Sequence, residues 1–159
     1  MIFMTVIFFL LAIPLMSFMA LREVKRTYLN EEHEDAPYVL NDAPLRISIK
    51  DTEVSALVAD TLLERRRGLS GREALPEDTV MLFIFSAPER AGIWMKDMLF
   101  SIDIMWIDAD RRIIHIVENA SPDSFPEVFR PLTDAKYVIE ASAGFVAEND
   151  IALGDGMSF

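Results

Sequence analysis

Three groups of residues have the types and spacing to do chemistry. The first is the run Arg65-Arg66-Arg67, followed by Gly68, Gly71 and Arg72. Guanidinium forks grip carboxylate or phosphate through paired hydrogen bonds. The two glycines imply a tight turn with exposed backbone N–H groups, which with Arg67 and Arg72 would form an anion pocket. The same arginines can instead pair with Glu64, Glu73, Glu77 and Asp78. The second group is Trp94-Met95-Lys96. In an extended chain Trp94 and Lys96 share a face, and an aromatic beside a cation can hold an anionic or sugar-like ligand. The plainer alternative is a ring packed under the Lys96 stem. The third group is Asp103 and His115, two polar side chains in otherwise apolar segments. A buried carboxylate needs a cation or several donors, and Lys96 or one of the arginines is the natural partner for Asp103. Either a ligand or acid–base site or a structural ion pair would follow. His115, beside Trp106, reads more simply as a hydrogen-bonded structural histidine.

Other chemistries lack their residues. Two well-separated histidines and no cysteine leave no transition-metal cluster, disulfide or thiol nucleophile. Asp108-Ala109-Asp110 has a metal-like spacing, but no calcium-loop pattern follows it. There is no Walker loop, dinucleotide fingerprint or nucleophile elbow. No cofactor is expected.

The elements that must position these groups are short. Leu45, Ile47 and Ile49 alternate with polar residues as a half-buried strand, and Lys50-Asp51-Thr52 can turn the chain. Val54, Ala56 and Val58 mark a second strand. Thr61 and Glu64 have capping-box spacing, so a short helix starts at Asp60 or Thr61, runs through the arginines and ends at Gly68. Pro76-Glu77-Asp78 is a turn, Met81 to Phe85 a buried strand and Ile93 to Met98 another. Ile102–Asp108 and Arg112–Glu118 form a hairpin with Ala109-Asp110-Arg111 at its tip. Alternation places Ile102, Ile104 and Trp106 on one face, opposite Ile113, His115 and Val117. Asp103, Met105, Ile107, Ile114 and Ile116 take the other face. Both faces are apolar, so the hairpin is central. Residues 120–134 carry three prolines and read as a loop. Tyr137–Glu140 is a short strand, Gly144–Asp150 a short helix, and a last short segment follows Gly154-Asp155-Gly156. The expected class is α+β: a compact, mostly antiparallel, barrel-like β domain with two short helices.

Composition separates the chain into parts. Mean hydropathy is +0.24 although the net charge is -11. The hydrophobicity is concentrated in residues 1–21, which hold no charge and only Thr5, Pro14 and Ser17 outside the apolar set. About 20 apolar residues match a bilayer core as one helix. An uncleaved transmembrane anchor is favoured; an exported, cleaved signal segment is the alternative, and Phe18 is bulky for the −3 position of a cleavage site after Ala20. Residues 22–44 read as an acidic stalk, with Glu31, Glu32, Glu34 and Asp35 crowded before Pro37 and Pro44. The folded domain spans 45–159. With 15 Lys+Arg against 26 Asp+Glu, no broad surface is offered to a nucleic acid.

Taken in order, Glu64 to Arg72, Leu75-Pro76, Met81 to Phe85, Trp94-Met95-Lys96, Ile102-Asp103, Ile107 to Asp110 and Gly154-Asp155 resemble the DUF192 family over residues 45–159. The resemblance implies a compact β-rich domain, often exported or membrane-anchored, without a settled activity. Its shared residues would include Arg67, Gly68, Arg72, Trp94, Met95, Lys96 and Asp103. Asp97-Met98 stand where the family usually has Asn-Thr, Ser101 where Pro is common, and Arg111 where the hairpin tip usually has Gly. Arg22, Lys25 and Arg26 follow the apolar segment and favour a cytoplasmic domain, whereas the family pattern favours the extracytoplasmic, periplasmic side; the latter is the expectation adopted.

The leading functional expectation is a membrane-tethered module binding a small anionic or polyhydroxy ligand near Arg67, Arg72, Trp94, Lys96 and Asp103. One rival is an envelope hydrolase or lyase using Asp103 with Lys96 or His115. The other is a structural or protein-interaction domain.

Overall fold

A computed structural model describes residues 45–159. The expected anchor (1–21) and stalk (22–44) lie outside the described residues. Among the described residues no helix is long and apolar enough to cross a membrane.

The chain runs β1 (Leu45–Ile49), β2 (Thr52–Ala59), α1 (Leu62–Arg67), β3 (Thr79–Glu89), β4 (Ile93–Trp94), β5 (Ile102–Ile107), β6 (Ile113–Ala120), a 3-10 turn (Pro122–Ser124), β7 (Val128–Phe129), β8 (Ala135–Ser142), α2 (Phe145–Glu148) and β9 (Met157–Ser158). Seven strands form one sheet in the order β6-β5-β8-β3-β2-β1-β9, and β4 pairs with β7 apart from it. Every pairing is antiparallel except β2 with β3. Parallel neighbours need a crossover, and here it carries α1. The final segment ties the two sheet edges together at one end. β9 pairs with β1, Ile113 N–H donates to Asp155 O at 3.0 Å, and Met157 N–H donates to Arg111 O at 2.9 Å. The sheet is therefore a half-barrel, as the antiparallel-rich α+β expectation required.

Alternation sorts the strands into two buried faces. Ile47, Val54, Ala56, Leu82, Met105 and Ile139 belong to the inner core, which α2 caps through Val146. The outer face carries Met81, Phe83, Phe85, Ile104, Trp106 and Val138, also buried. It is roofed by the crossover after α1 and by the stretch around β4, where Leu69, Ala91, Ile93, Met95 and Met98 are buried. Trp106 Nε1–H donates to Ala91 O at 2.9 Å and pins this roof to the sheet.

Most element expectations match, including both strands of the first hairpin and the capping box of α1. Thr61 Oγ1 accepts from Glu64 N–H, and the Glu64 carboxylate accepts from Thr61 N–H at 2.9 Å. The N–H groups of Thr61 and Asp60 help hold the Glu64 carboxyl below its ordinary pKa, against some desolvation. Four details differ. The expected strand 93–98 stops at Trp94, because Asp97 takes a φ of 55° and turns the chain. The expected loop 120–134 contains the 3-10 turn and β7, two residues held between Pro126 and Pro131. Strand β3 extends through Pro88, where the β8 register breaks between Ile84 and Glu89 and proline removes no ladder bond. A second irregularity between Trp106 and Ile107 pairs Ile113 with Ile107, placing Ile113 in the inner core instead of on the Trp106 face.

Candidate functional site

Arg65, Arg66 and Arg67 form the last turn of α1, where cations complement the helix dipole. Gly68 then adopts φ 52° and ψ -131°, a conformation that side-chain-bearing residues avoid. A Cβ there would lie 3.4 Å from the Phe83 ring and 3.8 Å from Glu140 Oε2. The chain can thus pass close over the outer face of the sheet. Ser70 Oγ donates to Lys96 O at 2.9 Å, and Gly71 N–H donates to Asp97 O at 2.8 Å. These bonds join the turn after α1 to the turn after β4 and bring two of the sequence-predicted groups together.

Between them lies a cavity of about 40 Å³, lined by Arg66, Arg67, Gly68, Phe83, Trp94 and Glu140, among others. Trp94 stands at 44% exposure with its ring edge-on to Phe125 at 6.2 Å, while Met95 beneath is buried. Glu140 is 5% exposed, and its Oε2 has no hydrogen-bond partner. Its cross-strand neighbours are Met81 and Ile104, both fully buried and apolar. Loss of hydration disfavours the charged form, and burial raises the Glu140 carboxyl to about 8. At pH 7 it is a neutral acid, able to donate as well as accept.

The five residues expected at the site divide. Arg67 and Trp94 line the cavity. Lys96 projects to solvent, its side chain 52% exposed and 3.8 Å from Asp97 Oδ2. Arg72 is half-buried, with its N–H donating to Leu69 O, and does not line the cavity. Asp103 is fully buried on the inner face. Its expected partner, Lys96 or an arginine, is replaced by backbone donors: Asn119 N–H to Oδ1 at 2.8 Å, and Gly144 N–H and Val146 N–H to Oδ2 at 3.0 and 2.9 Å. Backbone amides satisfy a buried carboxylate as a cation would, and here they anchor α2 to the hairpin. His115 pairs across from Trp106 at 5.2 Å between ring centroids. Asp103 is at an odd position of β5 and Trp106 at an even one, so Asp103 and His115 occupy opposite faces and form no dyad. Arg65 is engaged structurally, donating to Asp60 O and to Ile84 O at 2.9 Å and lying over the Phe85 ring. Among the described residues no three His, Cys, Asp or Glu side chains are grouped as for a metal ion.

Glu140 was not singled out from the sequence. The signal was present: Val138, Ile139 and Ala141 surround it in a strand, so any face it took would be apolar. A carboxyl where the pattern demands a hydrophobe is an informative exception.

The fold and site define a class: a curled, antiparallel-rich half-barrel whose outer face is roofed by an arginine-bearing crossover over a buried carboxyl. Residues 45–159 match the family model of DUF192, described as "Uncharacterized ACR", and the chain belongs to that family. Similar curated proteins are UPF0127 proteins of Thermococcus gammatolerans, 28% identical over 102 residues (64% of each chain), and of Thermococcus sibiricus, 32% identical over 100 residues (62% of this chain, 61% of the relative). The chain thus spans under two thirds of the length of these relatives. Among solved structures, a protein of unknown function from Novosphingobium aromaticivorans is similar at TM-score 0.70 and 25% identity, over 79% of this chain and 94% of that one. The R01717 protein of Sinorhizobium meliloti, named a candidate transcription regulator, is similar at TM-score 0.67 and 27% identity, over 71% and 91%.

Proposed function

We propose that this DUF192 domain is a small-ligand-binding module, tethered by residues 1–21 and facing the extracytoplasmic side. The observation that carries the binding reading is Glu140, whose Oε2 is buried without a hydrogen-bond partner and whose side chain lines a cavity together with Arg67 and Trp94. Leaving a buried polar atom unmet costs about 1–3 kcal/mol, and a bound group that met it would recover that cost. The ligand class is anionic or polyhydroxy: the Arg66 and Arg67 side of the rim suits a negative substituent, and the exposed Trp94 ring suits a stacked body. Arg67, Trp94 and Glu140 are the residues assigned to the site. An enzyme centred on Asp103 has no support in this geometry, because its oxygens are held by backbone N–H groups away from solvent. A DNA-binding role is disfavoured by the acidic balance of the chain.

Titration calorimetry with a panel of sugars, polyols and small carboxylates tests the reading, comparing wild type with Trp94→Ala. Saturable binding that weakens in the variant supports it; equal behaviour of the two proteins across the panel refutes it. Protease digestion of intact cells, with and without opening of the envelope, tests the side on which the domain lies. A second reading, docking of a protein partner, is favoured by the exposed neighbours Trp94, Phe125 and Val128.

A further inference from the structure

We propose that the end of the sheet carrying α1 docks on an anionic lipid bilayer, with Leu62, Leu63 and Leu132 entering the interface and the surrounding basic side chains meeting the headgroups. This goes beyond ligand binding and rests on one part of the reading above, the tether at residues 1–21.

Topology gathers the patch. β1 starts at Leu45 opposite Ala56 and runs antiparallel to β2. The chain therefore enters the sheet from the side on which β2 ends at Ala59 and α1 follows. β3 is parallel to β2, so it ends at Glu89 on that side too. Glu89 pairs with Ala135, the first residue of β8, and Arg90 Nε–H donates to Pro131 O at 3.2 Å. Leu132 therefore belongs to the same end as α1 and the entry of the chain. Residues 22–44 span at most roughly 80 Å when fully extended. A tethered domain stays within that reach, so a weak contact suffices.

Exposure is the second argument. Leu62, Leu63 and Leu132 are 76%, 61% and 83% exposed. α1 buries none of its residues. Its capping box and the Arg65 hydrogen bonds to Asp60 O and Ile84 O hold it in place. The two leucines of α1 thus add nothing to the core. Single exposed leucines are ordinary. Three at the end where the tether enters, flanked by cations, have the composition of an interfacial segment.

Charge is the third. Arg65, Arg66, Arg67, Arg90, Arg130 and Lys136 stand at this end, where Arg130 Nη1–H donates to Arg90 O and Lys136 Nζ–H to Ser86 O. They share it with Asp60, Glu64, Glu89, Glu127 and Asp134, six cations with five acids. The opposite end of the β1–β2 hairpin differs. There Lys50, Arg111 and Arg112 meet Asp51, Asp108, Asp110, Asp150 and Asp155, three cations with five acids. The chain carries a net charge of -11, so an anionic surface repels most of it and turns the α1 end towards itself.

The chain has no cysteine, so single labels can be placed cleanly. The test reconstitutes the full chain in vesicles of phosphatidylglycerol with phosphatidylcholine, or of phosphatidylcholine alone. A nitrobenzoxadiazole label sits on Leu62→Cys, Leu132→Cys or, as control, Leu153→Cys. Leu153 is 64% exposed, and the Gly154–Gly156 turn beside it bonds to Lys50 at the opposite end. In anionic vesicles emission at 62 and 132 should rise at least about twofold and shift to the blue, as the labels leave water for the interface. It should fall back in about 1 M salt, where the screening length is about 3 Å. The label at 153 should not respond, and phosphatidylcholine alone should change none of the three. Leu63→Ser with Arg66→Glu, both at exposed positions, should remove roughly half or more of the rise at 132 without moving the melting temperature. Silent labels at 62 and 132 in anionic vesicles would overturn the docking and leave the tether standing. An equal response at 153 would overturn it too, since the contact would then select no end of the domain. A concentration-dependent rise without anionic lipid would mark contact between copies and overturn the lipid assignment. Extraction of the chain by alkaline carbonate would refute the tether instead, and the labels still read docking when the protein is added to the vesicles.

Discussion

Replacing Glu140 by glutamine should stabilise the protein at neutral pH and flatten its stability between weakly acidic and weakly basic solution. The unfolded chain releases the Glu140 proton near the ordinary value of 4.5, whereas the folded protein holds it to about 8. Between those values the folded state binds the extra proton, so stability is greatest below 4.5 and declines as pH rises towards 8. One pKa unit corresponds to about 1.36 kcal/mol. The full loss is then on the order of 5 kcal/mol, with about 3 kcal/mol already gone at pH 7. Glu140 is almost wholly buried, so solvent screening reduces this little. Glutamine has the same shape and does not ionise. Urea unfolding of wild type and Glu140→Gln, at intervals from pH 4.5 to 8.5, measures the difference directly. Titrations shared by both proteins, including those of a chain with net charge -11, cancel in that difference. The curves should nearly meet at pH 4.5 and separate by about 3 kcal/mol at pH 7, roughly 10 °C in melting temperature for a domain of this size. Parallel curves across the range would refute the reasoning: Glu140 would then be hydrated or paired in solution.

Three further outcomes follow from the geometry. Asp103→Ala should destabilise the protein by at least about 3 kcal/mol, because three backbone N–H groups lose a charged acceptor at once; faster amide exchange at Gly144 and Val146 should accompany the loss, and an unchanged melting temperature would contradict it. Gly68→Ala should cost roughly 1–3 kcal/mol through its backbone conformation, read by the same urea midpoints. Gly92→Ala should loosen the β4–β7 pair, since a Cβ there would come within 2.7 Å of Val128 Cγ1 and 2.8 Å of Arg130 Cζ; hydrogen exchange at residues 92–94 and 128–130 should rise well before the main sheet is affected.

How far the fold could be read depended on how local its causes are. The α1 capping box sits within four residues, and both of its hydrogen bonds formed as the spacing required. The β1–β2 hairpin was legible from alternation and the turn expected at Lys50-Asp51-Thr52, of which Thr52 already belongs to β2. Strand β4 was legible but expected too long, to Met98, and β7 was not legible, because it is two residues long and exists only by pairing with β4. Backbone shape fits the departures that the DUF192 resemblance implies: Arg111 and Asp97, at positions where that resemblance leads one to expect Gly and Asn, have φ of 61° and 55°. Those are left-handed conformations that glycine and asparagine favour. For the site, burial of Asp103 was readable from its apolar neighbours, but its partners were not. They are N–H groups at 119, 144 and 146, and a backbone donor leaves no mark in residue type. Glu140 could have been found by the same apolar-context argument, applied to β8.

Asp103 and Glu140 are the two buried acidic side chains among the described residues, and comparing them points to where function lies. Asp103 is explained by folding alone. Its three N–H partners fix the hairpin to α2, and removing it would damage the architecture. Much of the DUF192-like pattern has the same character: Gly68 permits a close crossing, Met95 fills the roof, and the turns around Gly71 and Asp97 are stitched by backbone bonds. Glu140 has no such account. It leaves Oε2 unmet and lowers stability at the pH where most proteins work. A methionine or leucine between Met81 and Ile104 would serve the sheet better. On the proposed binding reading, a residue that opposes the stability of its own fold, and lines a cavity at an exposed tryptophan, is explained by what enters that cavity and not by the sheet that carries it.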